Sequence, residues 1–214
     1  LWTCGLNTSG QLGTGDYTIH NDPIQVAGNV AEVSCGSMHT LFVTRNGDLW
    51  AMGYNEFGQV DGLRAADQTR PVRVMTNVLT ADAGFYHSVV VSKDWGLYTY
   101  GRNDGGQLGT GDRIDRDTPT QVATDVIDAA AGYLHTVILK RDRSLWTMGE
   151  GGSGQLARGS RDDSLEPTYV LSAVAQIAAG TRTTWFIDVV GKPGWGKLTL
   201  RRNTATSQYF ESDA

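Results

Sequence analysis

The sequence predicts an all-β, propeller-type array of four-stranded antiparallel blades, and three observations carry that expectation. The motif Leu49-Trp50-Ala51-Met52-Gly53-Tyr54-Asn55-Glu56-Phe57-Gly58-Gln59 recurs from Leu1, Leu97 and Leu145, each start 48 residues after the last. A step of this size, with nothing inserted between copies, marks a solenoid, propeller or array rather than one globular sequence. Within each step short β-rich runs alternate with Gly, Asn and Asp turns, and no segment sustains a helical period. Each unit also ends one run in small residues, as at Ser34-Cys35-Gly36 and Ala130-Ala131-Gly132, a composition needed where strands crowd around an axis.

The units run 1–48, 49–96, 97–144 and 145–192, or 192 of 214 residues, and leave an irregular tail, 193–214, to complete a last hairpin. In the second unit's neighbourhood, Thr40–Thr44 and Asp48–Met52 flank Asn46-Gly47, the strongest short-range hairpin signal. The same hairpin returns around Lys93–Gly96 and around Arg141–Arg143, so turn chemistry varies while spacing does not. Loops such as Gly101–Asp112 are too rich in Gly, Asn and Asp for a strand interior. Pro23, Pro71, Pro119 and Pro167 each open a short third strand, with proline at its first residue, where a missing N–H does least harm. Val126–Ala131 reads as the fourth strand. Thr184–Asp188 begins a fifth hairpin, and Lys197–Leu200 is expected to return as its partner.

Most of the twenty-seven glycines fall at repeated positions and mark turns, and a net charge of −5 offers no general attraction to nucleic acid or anionic lipid. No apolar run approaches the ~20 residues of a membrane-spanning helix. The chain starts inside a repeat and without Met, which reads as a processed chain or a fragment. The surplus of half-hairpins at its two ends predicts an open arc, completed by a second copy in a homodimer or by further blades. Cys4 and Cys35 fill slots that are apolar in the other copies, so both are expected as buried thiols, and two cysteines make no disulfide framework.

Little in the pattern supports chemistry. His39, His87 and His135 repeat at one position, which Thr183 takes in the fourth copy, and a histidine bonding backbone groups between blades explains them better than a metal. The acidic groups at Asp112, Asp115 and Asp117 and at Asp162, Asp163 and Glu166 read as solvated turn carboxylates, without calcium-loop spacing. No nucleophile elbow or phosphate loop occurs, so no catalytic residue, metal or cofactor is expected, and the chain is read as a non-enzyme. What varies on so strict a scaffold is free for recognition. The variable positions after the closing glycine and in the loop after the second strand supply Met38, Phe85, Tyr86, Tyr133, Leu134, Arg182, Tyr54 and Phe57, residue types of the kind favoured at interface centres, as the expected partner-binding set.

Gly-x-x-His-[Thr/Ser] at Gly36–Thr40, Gly84–Ser88 and Gly132–Thr136, joined to Leu-[Trp/Tyr]-x-x-Gly-x-Asn-x-x-Gly-Gln-Leu-Gly at 1–13 and 97–109, resembles the repeat of the regulator of chromosome condensation family. The second copy departs from the pattern at Val60-Asp61, and the fourth at Ala157 and Thr183. The resemblance implies propeller blades, usually seven to a ring. It also implies a protein partner, held by a scaffold or inhibitor, since some secreted bacterial relatives inhibit β-lactamases. The alternative it implies is guanine-nucleotide exchange on a small GTPase. A light-sensing branch of the family uses tryptophans between the closing glycine and the histidine, and those slots hold no Trp here.

Overall fold

The computed structural model describes residues 1–62, 64 and 66–189, and every element among them is a strand or a turn. The chain opens with β1 (Trp2–Gly5) paired antiparallel with β2 (His20–Gln25). Three four-stranded antiparallel sheets follow. They are β3 (Val30–Cys35), β4 (His39–Thr44), β5 (Leu49–Gly53) and β6 (Gln68–Met75); β7 (Val78–Ala83), β8 (His87–Ser92), β9 (Leu97–Gly101) and β10 (Arg116–Ala123); and β11 (Val126–Ala131), β12 (His135–Lys140), β13 (Leu145–Gly149) and β14 (Ser164–Leu171). A last pair, β15 (Val174–Ala179) with β16 (Thr184–Asp188), ends the described chain. No strand pairing joins β1–β2 to β15–β16, so the arc is open among the described residues.

Each sheet is an up-and-down meander, and the chain passes to the next through two residues, one with positive φ: Asn77 (61°), Asp125 (60°) and Ala173 (64°). This link carries the chain from the outer strand of one blade to the inner strand of the next. The inner strands β3, β7, β11 and β15 are mutual neighbours around the axis. They are bridged there: Ser34 Oγ donates to Asp82 Oδ1 at 2.5 Å, and Asp82 Oδ2 accepts the Ala131 N–H at 2.9 Å. Small residues on these strands allow that approach, as the small-residue runs imply.

The second strand of each blade is buried on both faces because the next blade packs over it. Thus β8 is buried at all six positions, and β4 and β12 at five of six. Leu41, Val43, Leu49 and Ala51 of one blade meet Val78, Ala81, Val90 and Tyr100 of the next, and the same layer repeats one step on around Val91, Leu97, Val126 and Ile138. Stability in such an array is a sum of blade and nearest-neighbour interface contributions.

Two expectations need correction. The prolines do not open a short strand: Pro71, Pro119 and Pro167 lie inside eight-residue outer strands. The ladder slips between Arg116 and Thr120, so the missing N–H falls at a bulge on an edge with no further partner. The cysteines are not buried either. Cys4 and Cys35 are exposed, because burial in their slots comes from a neighbouring blade, and among the described residues β1–β2 pairs with no further strand that could cover them. The expected return strand at Lys197–Leu200, with the rest of the tail, lies outside the described residues.

Candidate interaction face

The end of the blades that carries the variable loops is built by a tie repeated in the three copies that keep the histidine. His39 Nε2 meets Ser88 Oγ, His87 Nε2 meets Thr136 Oγ1 and His135 Nε2 meets Thr184 Oγ1, each at 3.2 Å and each across an interblade boundary. Those hydroxyls in turn donate to the Gln59, Gln107 and Gln155 carbonyls at 3.0, 2.8 and 2.7 Å. A hydroxyl has one proton, already given to the carbonyl, so the imidazole must carry its proton on Nε2 and donate it. The histidines do join blades, as the sequence suggests, but through a side-chain hydroxyl rather than backbone. Burial holds all three neutral, lowering His39 and His135 to about 4 and His87 to about 3. The closing glycines are required because a Cβ on Gly36, Gly84 or Gly132 would collide with the imidazole three residues on.

The loops after β1, β5, β9 and β13 are equally braced. The side-chain oxygens of Asn7, Asn55 and Asn103 accept the N–H groups of Leu12, Val60 and Leu108, while Gln11, Gln59, Gln107 and Gln155 accept those of Ser9, Phe57, Gly105 and Ser153. Where Gly151 replaces the asparagine, its own N–H bonds to Asp163 Oδ1 at 2.9 Å. The loop acids therefore do more than solvate turns. Asp115 accepts the Asn103 N–H at 2.7 Å, Asp112 caps Ile114 and pairs with Arg116, and Asp163 pairs with Arg113 from the adjacent loop. Among the described residues no group of three or more His, Cys, Asp or Glu is placed to hold a metal.

One backbone bond brings the two variable sets to the same rim. The Tyr54, Arg102 and Glu150 N–H groups donate to the carbonyls of Met38, Tyr86 and Leu134 at 2.8, 2.9 and 2.7 Å. The preceding Gly53, Gly101 and Gly149 have φ of 108°, 103° and 107°, and a Cβ there would strike those same carbonyls.

On this rim the expected residues form a row of half-buried rings. Tyr54 and Phe57 each contact Tyr86, with centroids 5.2 and 5.4 Å apart; Tyr86 contacts Phe85 at 4.3 Å, and Phe85 contacts Tyr133 at 4.1 Å. The row thus crosses two interblade boundaries. At its far end the exposed Arg182 guanidinium stands 6.0 Å over Tyr133. Burial pushes the Tyr54 hydroxyl up to about 12, helped by its hydrogen bond to Glu56. Met38 and Leu134 share the rim through their carbonyls. Sequence reasoning missed Arg102, whose guanidinium lies 5.4 Å from Phe57 and 5.9 Å from Tyr86 and is steadied by Asp104. Its place in a variable loop was the available signal.

Comparison with known proteins bears on this architecture. A family model described as Regulator of chromosome condensation (RCC1) repeat matches residues 1–43, 96–139 and 142–187, and a second model of that repeat matches 30–59 and 126–155. Human WBSCR16 is similar in structure with TM-score 0.79 and 21% identity, over 87% of this chain and 52% of that one. Saccharomyces cerevisiae Prp20p, whose structure is described with its binding to Gsp1p and histones, gives 0.73 and 22%, over 86% and 50%. Yeast RCC1 (Prp20) bound by Kap60 gives 0.74 and 23%, over 86% and 48%. The chain therefore spans about half the length of these structures. No curated protein matches it significantly.

Proposed function

The chain belongs to the regulator of chromosome condensation (RCC1) repeat family, and we propose that it acts as a non-enzymatic protein-binding module, a scaffold or an inhibitor, whose aromatic rim receives a protein partner. The observation that supports this reading is the row Tyr54, Phe57, Tyr86, Phe85 and Tyr133, held half-buried on a braced frame rather than folded into the interblade core. Rings fixed before binding lose little side-chain freedom on association, so more of their buried area is returned as affinity. Arg182 adds a cation at the edge of the row. Protein binding is also what the Prp20p structures are described with, which is in keeping with this role.

Partner capture by wild type and by Phe85→Ala, Tyr86→Ala and Tyr133→Ala tests the proposal, with each truncation expected to weaken binding by on the order of 1–3 kcal/mol. Undiminished capture by all three, together with loss on changing the outer turns, would remove the rim from consideration. Exchange activity is the alternative reading. It would show as faster release of a fluorescent guanine nucleotide from a small GTPase on adding this chain, whereas simple binding leaves that rate unchanged.

A further inference from the structure

At the opposite end of the blades from the aromatic rim, neighbouring sheets part to leave clefts walled by a tryptophan. One, of about 510 Å³, lies between β1–β2 and the blade β3–β6 against Trp50; another, 96 residues on, lies against Trp146 between the blades β7–β10 and β11–β14. The two are copies of one site, yet they are furnished differently. Around Trp146 the ring and its N–H find partners within the chain. Lys140 Nζ sits 4.5 Å from the ring centroid, Nε1 donates to Ser144 Oγ at 2.8 Å, and Tyr169 packs edge-on at 5.8 Å.

Around Trp50 these partners are exchanged. Thr44 stands where Lys140 would cap the ring, Asp48 where Ser144 would bind the indole N–H, and Arg73 where Tyr169 would pack. Trp50 keeps only Phe42, side by side at 6.3 Å and 3°. Among the described residues no cation lies over Trp50, and the Asp48 carboxylate makes no hydrogen bond or ion pair. Arg70, which takes the position of Glu166, lines the same cleft, packs on Gly15 and makes no ion pair among the described residues. One cavity thus presents a bare aromatic face, an unpaired carboxylate and an unpaired guanidinium.

We propose that this cleft binds a small zwitterion. Its ammonium lies over Trp50 beside Asp48, where the third complete blade places its own lysine, and its carboxylate is taken by Arg70. A tryptophan face is the strongest aromatic acceptor for a cation, and guanidinium matches carboxylate geometry. The volume suits a ligand of amino-acid size, within the range of small-molecule sites. Free ω-amino acids and a polypeptide's C-terminal lysine share this chemistry.

Titration calorimetry with ω-amino acids of two to six carbons, against n-butylamine and butyrate as single-charge controls, tests it. At least one ω-amino acid is expected to bind saturably at one site, about ten-fold tighter than either control, the worth of one added charge contact. Thr44→Lys should abolish that binding by supplying the cap that Lys140 gives Trp146, and Asp48→Asn should weaken it by about ten-fold, both with the urea midpoint retained. A short peptide ending in lysine, compared with its C-terminal amide, distinguishes the two sources. Failure of every ω-amino acid to saturate, equal binding of butylamine, or undiminished binding by folded Thr44→Lys would overturn the proposal.

Discussion

Acid should loosen the interblade ties before it touches the loop carboxylates. His39, His87 and His135 are neutral in the folded chain because burial lowers them to about 4, 3 and 4, with His87 further lowered by the other two. The unfolded chain binds protons near the ordinary value of 6.5, so stability is complete above that pH and is lost as pH falls from 6.5 toward 4. At pH 5, about 1.5 units below the unfolded value, each imidazole withdraws roughly 2 kcal/mol. Three together withdraw about 6 kcal/mol, comparable with the whole stability of a typical domain. Hydrogen bonds from Arg116 and Arg113 hold Asp112 and Asp163 below the usual carboxylate value, so their contribution fails only as pH falls below about 4, in a separate window. Urea midpoints followed by tryptophan fluorescence from pH 7.5 to 4.5 should fall steeply below 6.5, and His87→Gln should shed about a third of that slope. A wild-type midpoint flat between pH 7 and 5, or an unchanged slope in the variant, would refute the reasoning.

Replacing all three histidines with alanine should lower the melting temperature without changing metal content by elemental analysis; stoichiometric zinc or nickel in wild type that vanishes in the variant would show a ligand role instead. Arg143 sits at φ 66° in the turn position where Gly47 has 88°, so Arg143→Gly should raise stability by about 0.5–1 kcal/mol in a melt, and a loss would argue against strain there. Cys4 and Cys35 should both react with a thiol reagent in the native chain within minutes, whereas the buried thiols expected from the sequence would wait for unfolding. Exposed Trp2, Val33, Trp185 and Phe186 at the two open ends should drive self-association at micromolar concentration; light scattering giving a stable 23.1 kDa monomer with no apolar dye binding would contradict that.

The repeat was legible because each 48-residue step must supply every strand, turn and closing glycine that its neighbour needs, and the strand at Val126–Ala131 has the expected bounds, although it opens its blade instead of closing one as a fourth strand. The phase of the blades was not. A hairpin such as Thr40–Met52 is local and leaves a strong signal, whereas blade membership turns on two residues, such as Thr76 and Asn77, that send the chain from an outer edge back to the axis. Burial failed for the same reason at Cys4. Its slot is fully buried at Met52 and Tyr100 because a complete blade packs there, so residue type alone could not report it. The hydroxyl partner of each histidine lies 49 residues ahead, one repeat and one residue, so the tie was visible as a conserved spacing within the chain yet not as a contact. The same logic locates function. In an array that reproduces its scaffold this strictly, positions that differ between copies are those the fold does not dictate. Aromatic residues gather at one end because each interblade step adds a ring to the last, from Tyr54 to Tyr86 and from Phe85 to Tyr133. At the other end, exchanging a capping lysine for Thr44 and a serine for Asp48 uncovers a tryptophan and sets a carboxylate beside it. Together the two changes leave a half-buried acid without a partner among the described residues, a cost that ligand binding would offset.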